Sequence, residues 1–135
     1  MKTIYLLRHA KSDWADAAIA DHDRRLNERG RDAAPRMGGY IKAKRYKLDL
    51  VLSSAAARTV ETFDLVKGDL GRDVTVELEE GLYLAEPRQL MQRLRSLDDT
   101  VRAVLFIGHN PGIAQFANEL CASPKDAAEE KMHRQ

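Results

Sequence analysis

Cysteine is almost missing from this chain: Cys121 is the only one in 135 residues. An internal disulfide framework is therefore excluded, and a reducing compartment is the natural setting. By its place on a helix, Cys121 itself reads as a small apolar residue turned inward. Long apolar runs are missing too. The opening MKTIYLLRHAK is broken by Arg8 and His9, too soon for a spanning helix or a signal-peptide core. Neither sign of charge prevails, with 22 basic against 21 acidic residues and a net charge of +1. That balance argues against a general nucleic-acid or membrane surface; a positive field must be built locally, by bringing particular arginines together. There are no repeats, low-complexity tracts or internal linkers. No strand is followed by a glycine-rich phosphate loop of the G-x-G-x-x-G or G-x-x-x-x-G-K type, so a nucleotide-binding fold is disfavoured. The expectation is a cytoplasmic protein of one domain over residues 1–135.

What is present is an alternation of short apolar runs with helical patterns. Residues 3–7, 48–52, 74–78 and 101–107 read as strands, the last the most apolar. Asn27 is placed to cap a helix reaching about Arg45, with Pro35 inside it as an expected kink. Further helices are predicted from about Ala55 to Lys67, from Pro87 to Leu97 and from Pro111 to Cys121. Strands alternating with helices imply an α/β three-layer sandwich: a mostly parallel sheet with helices on both faces. Right-handed crossovers then bring every strand's C-terminal end to one edge, where open parallel sheets bind ligands.

Three junctions at that edge carry unusual residues. The first strand runs into Arg8-His9-Ala10. The second ends at Ser53-Ser54, before a helix carrying Arg58-Thr59. The fourth runs into Gly108-His109-Asn110-Pro111-Gly112. Each alone is an ordinary loop or helix start; together, each after an apolar strand, they assemble a phosphate site. Two guanidiniums can fork onto phosphoryl oxygens, a second imidazole can donate from another side, and the following helix N-terminus adds backbone donors. One histidine has to stay neutral to attack phosphorus, with its other ring nitrogen donating to a backbone carbonyl. The second would serve better as a cation, so the two are expected to be tuned apart.

These motifs resemble those of the histidine phosphatase superfamily, also called phosphoglycerate-mutase-like. Leu7-Arg8-His9-Ala10 is similar to its Arg-His-Gly signature, with Ala10 in place of the glycine. Ser53 to Thr59 and Gly108-His109 are similar to its second-arginine and second-histidine motifs. The stretch Arg8 to Trp14, with Asp23-Arg24 and Leu26 to Gly30, resembles the SixA-like phosphohistidine phosphatase branch. The resemblance implies a phosphoglycerate-mutase-like fold and a metal-independent phosphatase working through a phosphohistidine intermediate, with no cofactor. His9 would be the nucleophile, and Arg8, Arg58 and His109 would hold the phosphoryl group. Glu80 is the choice for the proton-donating carboxylate after the third strand, with Asp21 the alternative. Lys11, Ser12 and Arg24 are further substrate-binding candidates, and Trp14 is expected to be a packing anchor. The expected partner is a phosphohistidine protein or a small phosphate ester, without nucleic acid or membrane. Competing readings are a non-catalytic phosphate- or phosphoprotein-binding module, and a small-molecule phosphomonoesterase or mutase. The loop cluster Asp21-His22-Asp23 has metal-ligating residue types but no completing ligands, so no metal is expected. His133 is assigned no role. The polar tail after Cys121 shows no strand pattern. The usual C-terminal edge strand is therefore expected to be missing, leaving a less protected sheet edge or a truncated chain that pairs with a neighbour.

Overall fold

The computed structural model describes residues 2–72, 74–121 and 131–133, the last three by backbone alone. Its strands are β1 (Thr3–Arg8), β2 (Leu50–Ser54), β3 (Thr75–Glu79), β4 (Ala103–Gly108) and β5 (Lys131–His133). Its helices are α1 (Glu28–Ala43), α2 (Ala57–Val66), α3 (Pro87–Arg95) and α4 (Gly112–Cys121). The sheet has the order β3-β2-β4-β1-β5, with every pairing parallel.

Alternation along the strands builds two cores. Leu6, Leu50, Leu52, Val104 and Phe106 face α3 and α4, packing with Leu90, Leu94, Ile113 and Phe116. Their neighbours Leu7, Val51, Leu105 and Ile107 face α1 and α2, packing with Ala34, Ile41 and Val66. Period-two side chains on strands buried from both sides read as continuous apolar runs, which is why these segments were legible. Phe106 and Phe116 meet edge to face at 6.1 Å. Truncating either to Ala is expected to cost about 3–5 kcal/mol.

Helix starts are set locally. The Asn27 side chain accepts from Gly30 N at 2.8 Å, closing the first turn of α1. Glu86 and Gln89 form a reciprocal capping box on α3. β2 begins two residues later than expected. Leu48 is already core, but the Asp49 carboxylate binds the amides of Arg102 and Ala103 at 2.8 and 2.9 Å, so the ladder starts after it. Ser53 and Ser54 thus extend the strand instead of closing it.

Two expectations are overturned. Cys121 is exposed at the end of α4, whose inward face is Ile113, Phe116, Ala117 and Leu120. The sheet does have a fifth, edge strand: residues 131–133 pair with Tyr5, Leu6 and Leu7 of β1. A three-residue edge strand is held by backbone ladder bonds, which leave no apolar periodicity to read. The rest of the tail, residues 122–130 and 134–135, lies outside the described residues.

Candidate active site

The order β2-β4-β1 brings three C-terminal strand ends side by side. Arg8 pairs with Gly108 across β1 and β4, and His9 N donates to Gly108 O at 3.0 Å. His9 and His109 therefore leave adjacent strands together, with ring centroids 5.3 Å apart.

His9 is buried, and its Nδ1 lies 2.6 Å from Ala10 O. A carbonyl only accepts, so Nδ1 carries the proton and Nε2 keeps its lone pair. The Ala10 amide donates to Thr62 Oγ1 at 3.0 Å, and that hydroxyl donates to Arg58 O at 2.7 Å. One side chain of α2 thus fixes the backbone next to His9, a contact between distant parts of the chain. Burial pushes the His9 pKa down to about 4, with the charges of Arg58 and Arg8 adding to the effect against the Ala10 hydrogen bond.

His109 Nε2 lies 2.8 Å from Ser54 Oγ, which also accepts from Ala56 N at 3.2 Å. With the amide occupying an acceptor position, the Ser54 proton is best placed on His109 Nε2. This tautomer is assigned from the network. It leaves Nδ1–H as a buried donor with no partner among the described residues. Burial, then the charge of Arg58, pushes the His109 pKa down to about 3. The expectation that the two imidazoles are tuned apart does not hold for the protein alone: both are held neutral, and a cationic His109 requires a bound anion beside it.

Arg58 is buried at the start of α2. Its Nη1 donates to Asp21 O at 2.6 Å and its Nη2 to Asp21 Oδ2 at 3.0 Å. Tyr83 O–H donates to the same carboxylate oxygen. That hydroxyl, with Arg58, holds the Asp21 carboxyl below its ordinary range against partial burial. Asp21 is therefore an anion that orients Arg58, which argues against it as a proton donor. The Tyr83 ring stands edge-on to His109 at 5.4 Å and to His22 at 4.8 Å. Asp21 as an orienter, Thr62 and Tyr83 were not singled out in the sequence; Ser54 was, as part of the junction after the second strand, three residues before α2 begins.

The other candidates separate. Arg8 and Lys11 are exposed and, with His9, line a cavity of about 580 Å³. Glu80 is exposed on a 3-10 turn, Glu80–Leu82, and bonds His22 Nε2 at 2.8 Å; it touches neither His9 nor His109 among the described contacts. Ser12 is buried in a bridge with Leu26 and does not line the cavity. Arg24 does not present itself to a ligand either. Its guanidinium donates to the carbonyls of Asp13, Asp16 and Ile19 and stacks 4.0 Å over the Trp14 ring. It staples the flap at 13–24, whose neck is closed by Asp13 N to Arg25 O and Asn27 N to Lys11 O. Trp14, expected as a packing anchor, is 66% exposed and serves as a platform for Arg24. No cluster of three or more metal-ligating side chains occurs among the described residues; Asp21 and His22 are engaged by Arg58, Tyr83 and Glu80.

Residues 4–83 match the model of the histidine phosphatase superfamily, branch 1. The chain belongs to that superfamily. Among its relatives is the uncharacterized protein Rv1276c of Mycobacterium tuberculosis, 37% identical over 123 residues, covering 90% of this chain and 75% of that one. Among solved structures, it is similar to the putative phosphohistidine phosphatase SixA from Agrobacterium tumefaciens. The TM-score is 0.84 at 29% identity, covering 95% of this chain and 82% of that one. The protein histidine phosphatase SixA complexed with tungstate gives a TM-score of 0.78 at 26% identity, over 87% and 76% of the two chains. The parallel α/β sandwich of this histidine phosphatase is thus the phosphoglycerate-mutase-like fold. No helix among its described residues is long and apolar enough to cross a membrane.

Proposed function

We propose that this histidine phosphatase hydrolyses phosphohistidine on proteins, in the cytoplasm and without a metal, through a phosphoryl group carried on His9. The observation that carries the reading is the state of His9: buried, neutral, with Nδ1–H spent on Ala10 O and Nε2 left with its lone pair. Nε2 attacks phosphorus as the bond from phosphorus to the substrate's imidazole nitrogen breaks, and that nitrogen takes a proton. Water then attacks phosphorus, the bond to His9 breaks, and inorganic phosphate leaves with neutral His9 restored.

Charge in such a transfer spreads over three equatorial oxygens, so catalysis rests on preorganised donors. Arg8, at the cavity, and Arg58, at the start of α2, approach from different junctions. Arg58 spends two N–H groups on Asp21 and keeps three of a guanidinium's five. His109 adds its unpartnered Nδ1–H. A phosphoryl group entering between them also supplies the negative charge that raises both imidazole pKa values, making His109 a stronger donor when it is needed. Imidazole leaves readily once protonated, so a carboxylate in contact with the reacting atoms is not essential. Glu80, which bonds His22, is the proton source for less reactive ester substrates.

The likeness to SixA structures supports a phosphohistidine protein over a phosphoglycerate, and so do the connections around the pocket. Between β3 and α3 lies only 80–86, and the flap at 13–24 is rich in Asp and Ala. Enzymes that enclose a small sugar phosphate use a closing lid. The test is turnover, without added metal, of a phosphohistidine protein, an aryl phosphate and phosphoglycerate side by side. The specificity constant for phosphohistidine hydrolysis is expected to exceed that for phosphoglycerate isomerisation by about tenfold or more, roughly 1.4 kcal/mol. Efficient isomerisation with negligible phosphohistidine hydrolysis would overturn the proposal.

A further inference from the structure

The cavity of about 580 Å³ beside His9 is lined by Arg8, Lys11, Arg29, Asp32, Ala33 and Arg36 together with His9 itself. Arg58, Asp21 and Tyr83 are not part of its lining, and one wall is a face of α1: residues 29, 32, 33 and 36 follow the helical spacing. The approach of that helix is fixed by Gly30, where a Cβ would stand 2.2 Å from Lys11 O.

Four cations thus line one cavity with a single carboxylate, Asp32. Arg25 and Arg31, on the same stretch, are both tied to Glu61, Arg58 to Asp21, and Arg93 to Glu77 and Glu79. None of Arg8, Lys11, Arg29 and Arg36 has an ion pair or side-chain hydrogen bond among the described residues. Four cations without an ion-pair partner among those residues thus share one cavity beside His9.

We infer that this cleft is a docking subsite for an acidic segment of the protein substrate, whose carboxylates engage Arg29 and Arg36 while its phosphoryl group reaches His9. The inference rests on the proposed protein substrate. Residues 29 and 36 are about 10.5 Å apart along the helix axis, at 1.5 Å per residue. That span suits carboxylates about three residues apart on an extended peptide, at roughly 3.3 Å per residue. Sites for small organic ligands are lined mainly by apolar side chains, whereas Ala33 is the one aliphatic residue in this lining.

The experiment uses the intact protein and the variant carrying Arg29→Gln and Arg36→Gln. Both residues are exposed and glutamine is a good helix former, so folding should survive. Two unphosphorylated peptides of equal length, one with repeated Glu and one with Gln in its place, are tested as inhibitors of aryl phosphate hydrolysis. The Glu peptide is expected to inhibit competitively, about tenfold or more tighter than the Gln peptide. The advantage should shrink about tenfold in the variant and fall with added salt. Equal inhibition by the two peptides, or an advantage the variant leaves intact, overturns the inference. So does tight inhibition by citrate or inorganic triphosphate without any by the Glu peptide, which would make the cleft a small-molecule site. Phosphohistidine peptides with acidic and neutral flanks form the second arm. If neither is hydrolysed while the Glu peptide still inhibits through Arg29 and Arg36, the phosphohistidine reading fails and the acidic subsite stands.

Discussion

Keeping two histidines neutral inside one site makes this fold sensitive to acid, by an amount that follows from their pKa values. His109 is 3% exposed, and its pKa is pushed from 6.5 to about 3. A folded-state pKa below the unfolded one means that the unfolded chain binds the proton first. The stability contributed by neutral His109 is therefore intact above 6.5 and drains away as pH falls toward the folded value. At about pH 5 the unfolded imidazole is almost fully protonated and the folded one is not, a difference of about 2 kcal/mol. His9, with a folded value of about 4, contributes a similar amount by the same arithmetic. His109→Gln removes one of the two titrations, and its amide can still bond Ser54. Urea unfolding at about pH 7.5 and about pH 5 gives the loss for each protein. Wild type is expected to lose about 2 kcal/mol more than His109→Gln over that interval. NMR titration of the imidazoles supplies the direct check. Equal losses in the two proteins, or a His109 titrating near 6.5 in the folded state, would refute the assignment of burial and Arg58 as its controlling environment.

Other outcomes follow from the same geometry. His9→Ala should lower turnover by several orders of magnitude and abolish acid-labile phosphate trapped on the protein; full activity would remove His9 from the mechanism. Arg58→Lys loses the planar fork and should cost about 2–4 kcal/mol of transition-state stabilisation, read as kcat/KM on an aryl phosphate, with wild-type behaviour placing Arg58 outside the site. Arg24→Gln should destabilise the flap, seen as proteolysis within 13–24, while shifting the inhibition constant of vanadate less than Arg58→Lys does; the reverse order would restore Arg24 as a ligand. Excess chelator should leave turnover unchanged, and activity lost to chelator and regained with a divalent ion would revive a metal at Asp21-His22-Asp23.

The residues legible in the sequence were those whose position depends on one strand and the turn after it. Leu6 and Leu7 sit in opposite cores, as do Phe106 and Ile107. Such runs announce strands buried on both faces, and a parallel sheet then carries Arg8-His9, Arg58 and His109 to one edge without further information. Asn27 as a cap was readable for the same local reason. What needed the tertiary structure was the path of the flap and the faces of the helices. Asp21 reaches Arg58 and Tyr83 across 37 and 62 residues, and His22 reaches Glu80 across 58. Nothing in the composition of a polar loop says which of its charges turns inward, which is why Arg24 and Ser12 were expected at the ligand. The pKa values of His9 and His109 follow burial and neighbouring charge, both properties of the assembled site. The edge strand at 131–133 is held by backbone bonds that any polar sequence can make. Local periodicity reports on elements that bury apolar surface. Polar contacts between distant segments carry no such period, and only the folded chain decides them.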